Sequence, residues 1–305
     1  YQDGGEHYAG QLGDEATPAE FVEALITATR EMVRVLKPSG SIFVNLGDKY
    51  AERRGPARPG YVDDDQTVSR PADRPARGRR GDIPVKSLML IPERYRIRCV
   101  DDLRLMARAV LVWDKPNAMP ESVTDRARRS HEDWVHLTKR QRYFADVDAI
   151  REAHARTWTP GRNGAHARAH LSRVLDGLMD CAPNRAGALP GSVWRIATQP
   201  LDVPAELEVD HHAAFPFEWP RRLIRGWCPP GGIVLDPFGG TGTTALVASV
   251  LGRRGISLDM SADYCRLARW RTTDPGEIAR AMQVEKPPTR EHGTDDLLDL
   301  LAGGA

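Results

Sequence analysis

The stretch Ile233-Val-Leu-Asp236-Pro-Phe238-Gly239-Gly240-Thr241-Gly242-Thr243-Thr244 constrains this chain most. Ile233 to Leu235 is a short apolar run, which predicts a buried strand. The glycines after it permit a tight turn and close backbone approach to a ligand. Thr244 to Leu251 has helical character, and Gly252 stands where a left-handed helix stop is expected. A strand, a glycine-rich turn and a helix N-terminus in that order make a nucleotide-type site and imply an α/β fold.

Two ligands compete for such a turn. Gly240-Thr-Gly242-Thr-Thr-Ala245 fits the dinucleotide fingerprint G-x-G-x-x-G/A, and Asp259 follows at about the expected 20 residues. That pattern leaves an NAD-dependent oxidoreductase open. Asp236 discriminates. A carboxylate where the strand meets the turn repels a pyrophosphate, whereas it suits a cation or an amine. S-adenosylmethionine carries a sulfonium and an amino group, and its ribose diol suits Asp259.

Cys228-Pro-Pro-Gly-Gly-Ile-Val-Leu-Asp236-Pro-Phe-Gly-Gly-Thr-Gly-Thr-Thr244 resembles the cofactor motif of the amino-group DNA methyltransferases, which methylate N6 of adenine or N4 of cytosine. Gly252-Arg-Arg-Gly-Ile-Ser-Leu-Asp259 resembles their next strand, ending in the acid that holds the ribose. The resemblance implies an α/β, Rossmann-like S-adenosylmethionine-dependent methyltransferase fold. Its mixed, mostly parallel sheet would carry helices on both faces. Asp236, Phe238, Gly239, Gly240, Thr241, Gly242, Thr243 and Thr244 would hold the cofactor, Asp259 its ribose, and Phe215 and Pro216 the outer wall of the pocket. The substrate-side strands precede the cofactor turn, as in the circularly permuted β group of that family.

Bulk composition bounds the rest. Hydrophobic residues are 41% of the 305, enough for a sizeable core. Lys plus Arg is 43 against 42 for Asp plus Glu, so any basic surface for DNA is local. Cys99, Cys181, Cys228 and Cys265 form no C-x-x-C pair, which argues against zinc or a disulfide framework and fits a reducing cytosol. The histidines of 154–189 are irregularly spaced, so no metal is expected. No apolar run approaches a membrane span, and a cytoplasmic location in a bacterium or for a phage gene product is expected.

In chain order, Thr17-Pro18-Ala19-Glu20 is a capping-box helix start, and Phe21, Leu25, Met32 and Leu36 recur at helical spacing. Ser41 to Leu46 reads as a strand. With residues 1–50 it forms the substrate-side part of the domain, where Asn45, Asp48 and Tyr50 are either turn residues or ligand-facing at a strand end. Residues 51–82, rich in Arg, Pro, Gly and Asp, are expected to be a flexible loop, gripping phosphate or merely solvated. Within 83–153, Lys86 to Val100 reads as a helix and Ala109 to Trp113 as a strand. Lys115, Asn117, Arg126, Arg128, Arg129 and His131 follow in a segment that resembles the family's DNA-facing loop, which implies cations for phosphates and an amide for base edges. Trp134–Thr138 and Tyr143–Asp146 read as a hairpin. Residues 154–200 are the candidate target-recognition insertion, with a short strand at Ser192–Ile196. Residues 201–271 are the cofactor part, and 272–305 a partly ordered tail.

The resemblance also implies a catalytic (Asp/Asn/Ser)-Pro-Pro-aromatic signature. The two Pro-Pro pairs, Pro229-Pro230 and Pro287-Pro288, lack its flanks, so that signature is expected N-terminal to Tyr1. The implied partner is double-stranded DNA with a flipped target base, with a cognate restriction endonuclease as a second candidate partner. A DNA- or cofactor-binding remnant without turnover stays open beside the enzyme.

Overall fold

In a computed structural model of the protein, residues 10–13, 15–51, 83–153, 187–201, 203–207, 209 and 216–282 are described. The expectations for 52–82, 154–186 and Phe215 fall outside them. Helix α1 (Pro18–Val35) begins on the expected capping box. Thr17 Oγ1 accepts the Glu20 amide at 3.2 Å, and the Glu20 carboxylate accepts the Thr17 amide at 3.0 Å. Its buried stripe is Val22, Leu25, Ile26 and Thr29. Strand β1 (Ser41–Leu46) follows.

Helix α2 (Ile91–Asp101) starts five residues later than Lys86. Leu90, just before it, is left-handed at φ 57°, and Lys86 at φ 68°, so this segment cannot be helical. Strands β2 (Met106–Asp114), β3 (His131–Thr138) and β4 (Val193–Arg195) complete a sheet of order β1-β3-β2-β4. β3 is antiparallel to both neighbours and β4 parallel to β2, so β1, β2 and β4 run one way. The expected hairpin does not form. β3 already has β1 on one edge and β2 on the other, which leaves 143–146 no ladder to join. Instead the Phe144 amide donates to Ser39 O and the Asp146 amide to Gly226 O.

Both faces of this sheet are covered. Ile42, Leu46, Val135 and Leu137 pack against α1 and α2. On the other face helix α3 (Glu218–Trp227) inserts Trp219, fully buried, between Trp134 and Trp194, with ring centroids 4.8 Å away on each side.

Strands β5 (Ile233–Asp236) and β6 (Arg254–Ser257) form a separate parallel pair. Helix α4 (Thr243–Val250) connects them and packs on Val234 through Leu246 and Val247. Contrary to expectation, Ile233 and Leu235 are 46% and 38% exposed. Strand residues alternate in direction, and α4 covers only the side that carries Val234. Helix α5 (Ala262–Thr273) is capped by Ser261, and helix α6 (Pro275–Met282) packs on α4 and α5, so the described start of the tail is a docked helix.

Candidate cofactor and DNA site

The turn after β5 is closed by its own carboxylates. Asp236 accepts the Phe238 amide at 3.1 Å and the Thr244 hydroxyl at 2.6 Å. Asp259, beyond β6, accepts the Gly240 amide at 2.8 Å and the Ser261 amide at 2.9 Å. Backbone bonds finish the loop, with the Gly239 amide on Leu258 O and the Gly242 amide on Gly239 O, both at 2.8 Å. The structure therefore brings Asp236, Phe238, Gly239 to Thr244 and Asp259 into one turn.

Two glycines have distinct reasons to be there. A Cβ on Gly239 would stand 1.8 Å from Ser257 Oγ, so only glycine lets the turn lie on β6. Gly240, at φ +48°, faces open space on its Cβ side. The ring of Phe238 is half exposed beside it, and Pro216 is buried. The α4 N-terminus at Gly242 has no side-chain cap. Carboxylates at the strand ends beside an open glycine backbone fit a nucleoside that bears a positive charge and a diol, and the uncapped helix start fits an anionic group on the same ligand.

Thr241 and Thr243 are placed differently from the other turn residues. Both are buried, and both hydroxyls accept from Arg271 Nη1 on α5 at 2.8 Å. Arg271 is itself buried, bonded through Nε to Glu277 on α6 at 2.8 Å, with its guanidinium 5.3 Å from the Phe217 ring centre. Burial draws the Arg271 guanidinium down from its ordinary pKa, and Glu277 opposes this. The sequence reading missed this arginine. The signal was there: Tyr264, Leu267 and Arg271 share one helical stripe, and that stripe is buried.

The DNA-side residues gather where β1 and β2 end and β3 begins. Asp48 accepts the Leu90 and Ile91 amides at 3.0 and 3.2 Å, capping α2. Asn45 donates to Asp133 O at 3.3 Å. Tyr50 lies under the Arg126 guanidinium at 3.8 Å, and Arg126 also pairs with Glu121 at 2.8 Å. Lys115 pairs with Glu132 and sits 4.2 Å over the Trp113 ring. Asn117 exchanges two hydrogen bonds with the Thr198 backbone, at 2.9 and 3.2 Å. Arg128 is exposed and donates to Ala118 O at 3.0 Å; His131 is exposed at the start of β3. Arg129 is half-buried nearby. Much of the loop's positive charge is thus balanced internally, and Arg128 and His131 are its exposed members. Among the described residues no group of three His, Cys, Asp or Glu could hold a metal, and no helix is long and apolar enough to cross a membrane.

A parallel βαβ unit with a glycine turn closed by two acids, beside a mixed sheet covered on both faces, defines a Rossmann-like nucleoside-binding enzyme. The chain belongs to the N6/N4 DNA methylase family, whose model matches residues 2–269. It is 35% identical over 263 residues to the type II methyltransferase M.XycI of Xanthomonas campestris pv. cyanopsidis, covering 85% of this chain and 73% of that protein. It is 31% identical over 259 residues to M.Cfr9I of Citrobacter freundii, with the same coverage. In structure it is similar to the PvuII DNA methyltransferase (cytosine-N4-specific), at TM-score 0.57 and 18% identity, over 88% of this chain and 79% of that one, a likeness of fold. The chain is of the S-adenosylmethionine-dependent DNA amino-methyltransferase class.

Proposed function

We infer that the turn from Asp236 to Thr244, closed by Asp259, holds S-adenosylmethionine, and that the methyl group goes to N6 of adenine or N4 of cytosine in double-stranded DNA. The observation that carries this reading is the open glycine turn tied down by two carboxylates, Asp236 through the Phe238 amide and Thr244 hydroxyl and Asp259 through the Gly240 amide. The cofactor supplies an electrophilic methyl on a positively charged sulfur. Asp236 gives that positive end a carboxylate partner. Asp259 faces the ribose diol, and Phe238, with Phe215 and Pro216, walls the pocket.

An exocyclic amine is a weak nucleophile, because its lone pair is delocalised into the base. The base must first leave the stack, at a cost of a few kcal/mol. Arg128, Arg129 and His131 hold the phosphates, while Asn45, Lys115 and Asn117 line the strand ends where the base would arrive. Fixing the amine in line with the methyl then supplies much of the rate. The family's acceptor for the amine hydrogens is an (Asp/Asn/Ser)-Pro-Pro-aromatic segment, which residues 1–305 do not contain. The site of action is the cytoplasm, with a cognate restriction endonuclease as functional partner.

The test is incubation of the full-length protein with methyl-labelled S-adenosylmethionine and mixed-sequence DNA, followed by nucleoside analysis. Label in N6-methyladenine or N4-methylcytosine is expected. Cofactor binding with no label in either base would overturn the methyl-transfer reading.

A further inference from the structure

We propose that Arg271 is a positioning residue for the cofactor turn, held in place by Glu277. The proposal rests on that turn being the S-adenosylmethionine site. Neither residue lies within the stretch 2–269 that matches the family model.

Arg271 and Glu277 are 2% and 3% exposed. A charged pair this deeply buried persists only when its hydrogen-bonding groups are engaged. Arg271 Nη1 donates to Thr241 O at 3.2 Å and to the Thr241 and Thr243 hydroxyls at 2.8 Å. Its Nε is fixed on Glu277 Oε2, while Glu277 Oε1 accepts Arg280 at 2.8 Å. The grip therefore brackets Gly242, at φ +76°, where an added Cβ would stand 2.6 Å from the Ala268 methyl, so only glycine lets α4 start this close to α5.

Glycine backbone is conformationally permissive, so a turn carrying Gly239, Gly240 and Gly242 needs outside contacts to stay in one arrangement. A guanidinium is suited to this, because its planar fork fixes several acceptors at once, which a single ammonium cannot do. Arg271 holds the side chains that flank Gly242, while Gly240 opens to solvent. It acts on the ligand only through Thr241 and Thr243. Because α6 supplies Glu277, the affinity of the turn depends on residues 275–282.

The test uses Arg271→Met, Arg271→Lys and Glu277→Gln in the 305-residue chain. Calorimetry well below each melting temperature gives Kd for S-adenosylmethionine, and tryptophan emission from the Trp219 cluster reports the fold of the other core. Arg271→Met is expected to weaken binding by about tenfold or more, the scale of one charge-assisted hydrogen bond. Arg271→Lys should fall between it and the unsubstituted chain, and Glu277→Gln should show a smaller loss, all with unchanged emission. Leu223→Ala serves as a control that lowers stability in the Trp219 core. If it weakens binding as much as Arg271→Met, or if all three variants bind like the unsubstituted chain, the proposal is overturned. Should Arg271→Met fail to fold, the Lys and Gln variants decide. Asp236→Ala separates the two claims. If it binds undiminished, the site reading itself fails; if it loses binding while the Arg271 variants do not, only the positioning role fails.

Discussion

The Gly240 amide donates to the Asp259 carboxylate at 2.8 Å, tying the glycine turn to the end of the next strand. Asp259 also accepts the Ser261 amide, so one side chain fixes both the turn and the start of α5. Asp259→Ala removes both bonds and the carboxylate assigned to the ribose. Cofactor affinity is expected to drop at least tenfold, by about 1.4 kcal/mol or more, with Asp259→Asn retaining part of it. Isothermal titration checks the order.

Gly239→Ala tests the close approach of turn and strand. The added methyl meets Ser257 Oγ at 1.8 Å, Ser257 Cβ at 3.0 Å and the Leu258 amide at 3.3 Å, so the Ser257 hydroxyl must rotate away and the turn ease off β6. A stability loss of about 1–3 kcal/mol is expected from overpacking, together with weakened cofactor binding. Gly240→Ala meets no atom within 4 Å, so its cost comes from its positive φ alone. Denaturant unfolding of the two variants should separate steric from conformational cost.

Asp48 holds two amides of the α2 N-terminus, a helix whose own N-cap residue, Leu90, offers no side-chain acceptor. Asp48→Ala is expected to lose about 1 kcal/mol, the scale of a lost helix cap. A fall in DNA affinity at unchanged stability would instead assign Asp48 to DNA contact.

Burial, with some repulsion from Arg108, pulls His136 down from 6.5 to about 4. Its ring is stacked on Phe43 and contacts Tyr143 and Trp227, and Ser41 Oγ is 3.0 Å from Nε2. The folded value lies below the unfolded one, so the unfolded chain takes up the proton first. Stability from this group is full above about 6.5 and is lost as pH falls from there to about 4. Unfolding free energies measured across that window should decline on acidification, and His136→Gln should flatten the decline.

What the sequence made legible was local. The capping box at Thr17 and Glu20, the Ser41–Leu46 strand and the turn from Asp236 to Thr244 are each written in contiguous residues. What it hid depends on partners far along the chain. β3 is sandwiched between β1 and β2, which Tyr143–Asp146 could not reveal from its own pattern. Asp48 caps a helix that starts 43 residues later. Ile233 and Leu235 look like core residues by type, but only their neighbour Val234 meets α4. Arg271 reads as a surface charge until the buried stripe of α5 is traced.

What the glycine turn holds is measured most directly by calorimetric titration of the unsubstituted chain and of Asp236→Ala with S-adenosylmethionine and with NAD. The unsubstituted chain should bind S-adenosylmethionine and not NAD, and Asp236→Ala should bind neither. Undiminished S-adenosylmethionine binding by Asp236→Ala, or NAD binding in its place, would contradict the assignment.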